Sequence, residues 1–241
     1  VWNEESWLNL TSLQIHEAGK ALCYHCLVAP YNPMRPDRIP LFPLNVVLLP
    51  GADLPLHIFE PRYRKMVRDC LDNKSEFGML LALDNGVAGT GCTAEILEVV
   101  KTYTDGRMDI LTVGRAPFRV VQLFTENPLL EGTVDYLEDR FAPAAPKTRK
   151  ELTELYEACH TLIFGDYPRD AAPDPDTSDQ LSYLVASKLP MDLLWKQCIL
   201  ELRSEPERQE RLLAYLRDWA PHLQKVESAQ RRAAGNGSGL N

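Results

Sequence analysis

The 241 residues, 45% hydrophobic and 25% charged, suit one large folded unit or two small ones and exclude wholesale disorder. A formal net charge of −8 at pH 7 argues against a nucleic-acid binder, which needs clustered Lys and Arg. No apolar run reaches the roughly 18 residues of a membrane span. Residues 1–20 carry Glu4, Glu5, His16 and Glu17 among their apolar residues and lack the basic-then-apolar order of a secretory signal. The cytoplasm is the expected location.

Residues 1–38 read as an N-terminal extension, containing Trp2, Trp7 and a loop with Pro30, Pro33 and Pro36 that continuous helix or strand cannot cross. Cys23-Tyr24-His25-Cys26 has the spacing of half a metal site. Structural zinc takes four ligands and no second Cys-x-x-Cys exists, so Cys23 and Cys26 are weak candidates and no metal or other cofactor is expected. Cys70, Cys92, Cys159 and Cys198 stand singly in apolar segments, the pattern of buried, reduced thiols.

Residues 39–140 read as β-rich. Ile39 to Leu44 alternates apolar residues with Pro40 and Pro43, which suits an edge strand. Val46 to Leu49 reads as a short buried strand closed by a Pro50-Gly51 turn, and Leu54 to Phe59 as the next strand. Glu60-Pro61 opens a helix, because proline at the first helical position forfeits a hydrogen bond that would be missing anyway. Tyr63, Met66, Val67, Cys70 and Leu71 give that helix one apolar face. Phe77 to Leu83 is a strand. Cys92 to Tyr103 and Arg107 to Val113 form a hairpin across Thr104-Asp105-Gly106, and Pro117 to Phe124 and Gly132 to Leu137 add two strands. This succession indicates a small β-barrel with one early helix.

Composition changes at Ala142-Pro143-Ala144-Ala145-Pro146, and residues 147–226 read as helical. Leu152, Leu155, Tyr156, Cys159, Leu162 and Ile163 share a face; Leu181, Leu184, Val185 and Leu189 mark a second helix, and Pro190 opens a third. Pro168 to Asp176 is a loop, whose acidic residues (with Asp166 and Asp179) lack calcium-loop spacing. Ser204 and Glu207 form a capping-box pattern before the helix bearing Leu212, Leu213, Leu216, Trp219 and Leu223. Arg203, Arg208 and Arg211, alternating with Glu201, Glu205, Glu207 and Glu210, read as an exposed, ion-paired face. Residues 227–241 read as a flexible tail.

The run IPLFPLNVVLLPGADLPLHIFEPRYRKMVRDCL (residues 39–71) resembles the opening of the N-terminal, substrate-binding domain family of Lon-type proteases, peptidase family S16. GTGCTAEILEV, DGRMDILTVGRAPFRV and KLPMDLLWKQCILELRSEPERQERLLAYL continue it in order, so the resemblance covers Ile39 to Leu223. It implies an α+β architecture: an N-terminal PUA-like small β-barrel followed by a C-terminal helical bundle. It also implies a module that selects unfolded or tagged client proteins, in company with a protease or chaperone. A stand-alone copy of that domain is the expectation, with no enzyme activity. No glycine-rich loop ending in Lys-Ser or Lys-Thr is present to cradle phosphates, and no residues remain for a Ser–Lys protease domain.

The candidate client-binding residues are Phe42, Leu44, Leu56, Phe59, Arg62 and Tyr63, of which the five apolar or aromatic ones are equally good core residues. No catalytic residue is expected; His57 reads as outward-facing or structurally satisfied. The alternative is an RNA- or small-ligand-binding barrel, an analogy of fold alone, against which the net charge and the lack of an aromatic and basic stripe both count.

Overall fold

A computed structural model describes residues 35–165 and 179–236. Cys23, Cys26, the Pro168 to Asp176 loop and four of the five acidic residues around it (Asp166, Asp170, Asp174 and Asp176) lie outside them. The strands are β1 (Arg38–Leu44), β2 (Asp53–Ile58), β3 (Phe77–Leu83), β4 (Gly86–Thr102), β5 (Met108–Phe124) and β6 (Glu131–Tyr136). The helices are α1 (Pro61–Asn73), α2 (Pro146–Phe164), α3 (Leu181–Lys188), α4 (Leu193–Glu201) and α5 (Glu205–Asn236).

The strands make one mixed six-stranded sheet in the order β2-β5-β4-β3-β1-β6, and β5 also pairs with β6, so the pairing closes on itself. Only β1–β3 is parallel, with β2 and α1 carrying the chain across between them. Two 17-residue strands, β4 and β5, make this closure possible. The first half of β5 pairs with β2 and the second half with β6. The segment from Pro117 is therefore a continuation of β5, and the hairpin strands run well past the turn-proximal residues that sequence pattern marks.

β1 is not an edge strand, although its prolines suggested one. Its first residues pair with β6 and its last four with β3. The Asp37 carbonyl and the Leu41 N–H both bond toward β6, so Pro40 faces β3 before that pairing begins and Pro43 faces β6 after it has ended. Each missing donor falls where no partner waits. Among the described residues, the open edge is β2. The Ala52 carbonyl just before it accepts from the Gly114 N–H of β5, so by alternation the backbone groups of residues 53, 55 and 57 point outward and Pro55 interrupts the free side.

Val47, Leu48 and Leu49 are buried as expected but form no strand. They lie over β5 at Gly114, where an added Cβ would sit 2.1 Å from the Leu49 carbonyl oxygen. α1 presents Tyr63, Met66, Val67 and Cys70 to the core and leaves Leu71 exposed. α4 starts at Leu193 rather than Pro190, because the Asp192 side chain accepts hydrogen bonds from Leu194 N–H and Trp195 N–H.

The run around Arg208 is also corrected. Arg208 is 0% exposed and Glu205 is buried. Arg208 donates to both carboxylate oxygens of Asp139 at 2.8 and 2.5 Å, to Glu205 at 2.9 Å, to Ser182 Oγ at 2.9 Å and to the Leu202 carbonyl at 3.0 Å. Its guanidinium lies over the Tyr183 ring. Glu205 accepts from Ser182 N–H, Ser182 Oγ and Gln209 Nε2. Mixed signs at helical spacing do not tell an exposed face from one that meets a carboxylate on a distant segment. Here Asp139, just after β6, turns the pair inward and ties the strand-rich half to α3 and α5.

Candidate functional site

Of the six candidate residues, three lie inside. Phe42 stacks on Tyr63 with ring centroids 4.0 Å apart, and Leu56 joins the same buried cluster. Leu44 is half-buried against it. Two candidates are at the surface, Phe59 on the short connection from β2 into α1 and Arg62 in the first turn of α1. Phe59 is 46% exposed, a large apolar side chain left in water. Arg62 pairs with Glu60 at 2.8 Å and donates to the Pro128 carbonyl at 3.0 Å, pinning the start of α1 to the β5–β6 loop.

Phe59 borders an open depression of about 490 Å³ lined also by His57, Arg64, Asp105 and Arg107. Three elements meet there: the end of β2, the first turns of α1 and the β4–β5 turn. That turn is set by Gly106 at φ +84°, whose N–H bonds the Tyr103 carbonyl, while Tyr103 N–H bonds the Arg107 carbonyl. Arg64 reaches across to donate to the Asp105 carbonyl at 2.5 Å, and its Nε is buried without an acceptor. Arg68, one helical turn on, lies beside Gly106.

His57, expected to face outward, does so and is held. Its Nδ1 is 2.5 Å from Asp109 Oδ1, Tyr103 donates to Asp109 Oδ2 at 2.8 Å, and the imidazole stacks on Phe59. Burial works to raise the Asp109 pKa, but the His57 and Tyr103 hydrogen bonds hold it below the usual carboxylate value. Asp105 is likewise held low, chiefly by the Arg107 backbone N–H, and its carboxylate receives Arg107 Nε at 2.7 Å. The depression's lining offers an imidazole oriented by a carboxylate but no Ser, Thr or Cys for it to activate.

The sequence reading missed Arg64, Arg107, Tyr103 and Asp109, whose only signal was the basic polar face of α1 and the charged hairpin turn. A second concavity, about 330 Å³, lies between α4 and α5 along Trp195, Tyr215 and Trp219. Among the described residues no His, Cys, Asp and Glu side chains group as a metal site, and no helix is long and apolar enough to cross a membrane.

Comparison with known proteins agrees with this architecture. The family profile of the ATP-dependent protease La (LON) substrate-binding domain matches residues 38–218. The chain is 28% identical to a Lon protease of Parabacteroides distasonis over 75% of its length and 24% of that protein's. It is 31% identical to Lon protease 2 of Myxococcus xanthus over 80% of its length and 25% of the relative's. It thus spans about a quarter of the curated relatives it matches. Among solved structures it is similar to the Lon N-terminal domain protein from Xanthomonas campestris, with TM-score 0.60 and 29% identity, covering 74% of this chain and 98% of that one. The N-terminal domain of Mycobacterium avium complex Lon protease shares the fold, with TM-score 0.54 and 16% identity over 75% of this chain and 98% of that one. The chain belongs to the Lon substrate-binding domain family.

Proposed function

We propose that the protein is a non-catalytic recognition module that holds unfolded or tagged client proteins on the surface around Phe59, for a protease or chaperone to receive. The observation that carries this reading is an exposed phenylalanine beside a concave, part-aromatic surface, in a member of a substrate-binding family. Phe59 provides the contact, Arg62 fixes the connection that displays it, and Phe42, Leu44, Leu56 and Tyr63 form the rigid wall beneath. On this reading the closed strand pairing is the PUA-like barrel, α2 to α5 are the bundle that supports it, and the work is done in the cytoplasm without a cofactor.

RNA binding is the second reading, favoured by one observation: cationic side chains cluster beside aromatic rings around the depression. Fluorescence anisotropy separates the two. The protein is titrated against a labelled, permanently unfolded polypeptide and, in parallel, an RNA oligomer at low and moderate salt. Saturable, weakly salt-dependent binding to the polypeptide supports client recognition. Salt-sensitive binding to RNA alone overturns it.

A further inference from the structure

The local charge around the depression is opposite in sign to that of the chain as a whole. The chain has a formal net charge of −8. Around this one site stand Arg64, Arg68, Lys101 and Arg107, against the carboxylates Asp105 and Asp109. The carboxylates are already engaged: Asp105 by Arg107, and Asp109 by His57 and Tyr103. Among the described residues, Arg64 and Arg68 have no carboxylate within ion-pair distance. Arg64 is held by the Asp105 carbonyl; it feels the Asp105 carboxylate electrostatically but makes no direct ion pair with it.

Beside these guanidinium groups lie aromatic rings in contact. His57 stacks on Phe59, Tyr103 meets His57 edge-on, and Lys101 and Arg107 sit over Tyr103. A site that places unmatched guanidinium groups next to an exposed phenyl ring fits a ligand with a carboxylate beside a large apolar or aromatic side chain. An added strand on β2 is disfavoured, because Pro55 interrupts its open edge. Recognition therefore falls to side chains. A nucleic-acid strand would need a basic track following several phosphates, whereas here Arg64 and Arg107 line one depression and Arg68 and Lys101 stand beside it.

We infer that this site selects client segments in which an Asp or Glu side chain neighbours an aromatic or large apolar residue, with Arg64 and Arg68 taking the carboxylate and Phe59 the apolar group. The inference rests on the client-recognition reading and names its substrate class.

The test uses the full chain and labelled peptides blocked at both termini, so that no terminal carboxylate contributes. One peptide carries Asp and Glu beside Phe and Trp, a second replaces the acids by Asn and Gln, and a third replaces the aromatics by Ser. The acidic–aromatic peptide is expected to bind at least about tenfold tighter than either counterpart, the size of one charge-assisted contact. Arg64→Gln and Arg68→Gln, made separately, each weaken that peptide severalfold and leave the amide counterpart unchanged, while Arg217→Gln on α5 changes neither. Equal affinity for acidic and amide peptides overturns the inference and leaves client recognition standing. Binding to none of the peptides, or tighter binding to an RNA oligomer, overturns both.

Discussion

Replacing Arg208 by leucine removes a guanidinium that donates to Asp139, Glu205, Ser182 and the Leu202 carbonyl from a fully buried position. Burial alone would lower the Arg208 pKa, but the Asp139 hydrogen bonds and the neighbouring Tyr183, Asp139 and Glu205 raise it, so the variant loses a fully charged partner. Breaking a buried ion pair from one side costs about 3–5 kcal/mol, because the other charge is left uncompensated. Glu205 keeps three donors from Ser182 and Gln209, and the Asp139 side chain is 28% exposed, which places Arg208→Leu near the lower end, about 3 kcal/mol. With a urea slope of about 2.5 kcal/mol per molar for a chain of this size, the unfolding midpoint falls by about 1.2 M. Arg217→Leu is the control. Arg217 pairs with Glu151 in solvent, and such pairs contribute at most about 1 kcal/mol. Urea titration by tryptophan fluorescence reads both, and equal shifts in the two variants would refute the buried-network account.

Other outcomes follow from local geometry. Gly114→Ala pushes a methyl to 2.1 Å from the Leu49 carbonyl oxygen; the overpacking costs about 2 kcal/mol and lowers Tm by about 4–8 °C, and an unchanged Tm would contradict the close approach. Because the Asp109 pKa is held below its ordinary value of about 3.9, its contribution to stability is complete above that pH and is lost as pH falls through the lower folded value. The urea-midpoint deficit of Asp109→Asn is therefore full at about pH 6 and shrinks on acidification; a deficit that grows would contradict this. Burial raises the Cys92 thiol and pushes Cys159 up to about 11, so maleimide labelling with peptide mapping should find both protected in the native protein while half-buried Cys198 reacts. Native labelling of Cys92 as fast as Cys198 would refute its burial.

The sequence makes legible what is local. Glu60-Pro61 followed by the spacing of Tyr63, Met66, Val67 and Cys70 specifies α1, and Asp105-Gly106 specifies the hairpin turn, because both depend on neighbours along the chain. The candidate site was only partly legible. Alternation cannot tell that Phe42 and Tyr63 meet each other inside while Phe59 stays in water. Arg64, Arg107 and His57 become neighbours only when β2, α1 and the β4–β5 turn converge, and the pairing of β5 with β2 brings Asp109 to His57. Arg208 gives the same lesson in the core: its partner Asp139 is 69 positions away.

The central claim, that clients sit at Phe59, is tested most directly by photocrosslinking. A benzophenone side chain is placed at position 59 in one protein and at Leu194, exposed on α4 near the second concavity, in another. Each is irradiated with a labelled, permanently unfolded polypeptide. The account predicts a crosslink from position 59 that unlabelled polypeptide competes away, and little from position 194. Crosslinking from 194 alone, or from neither, would contradict it.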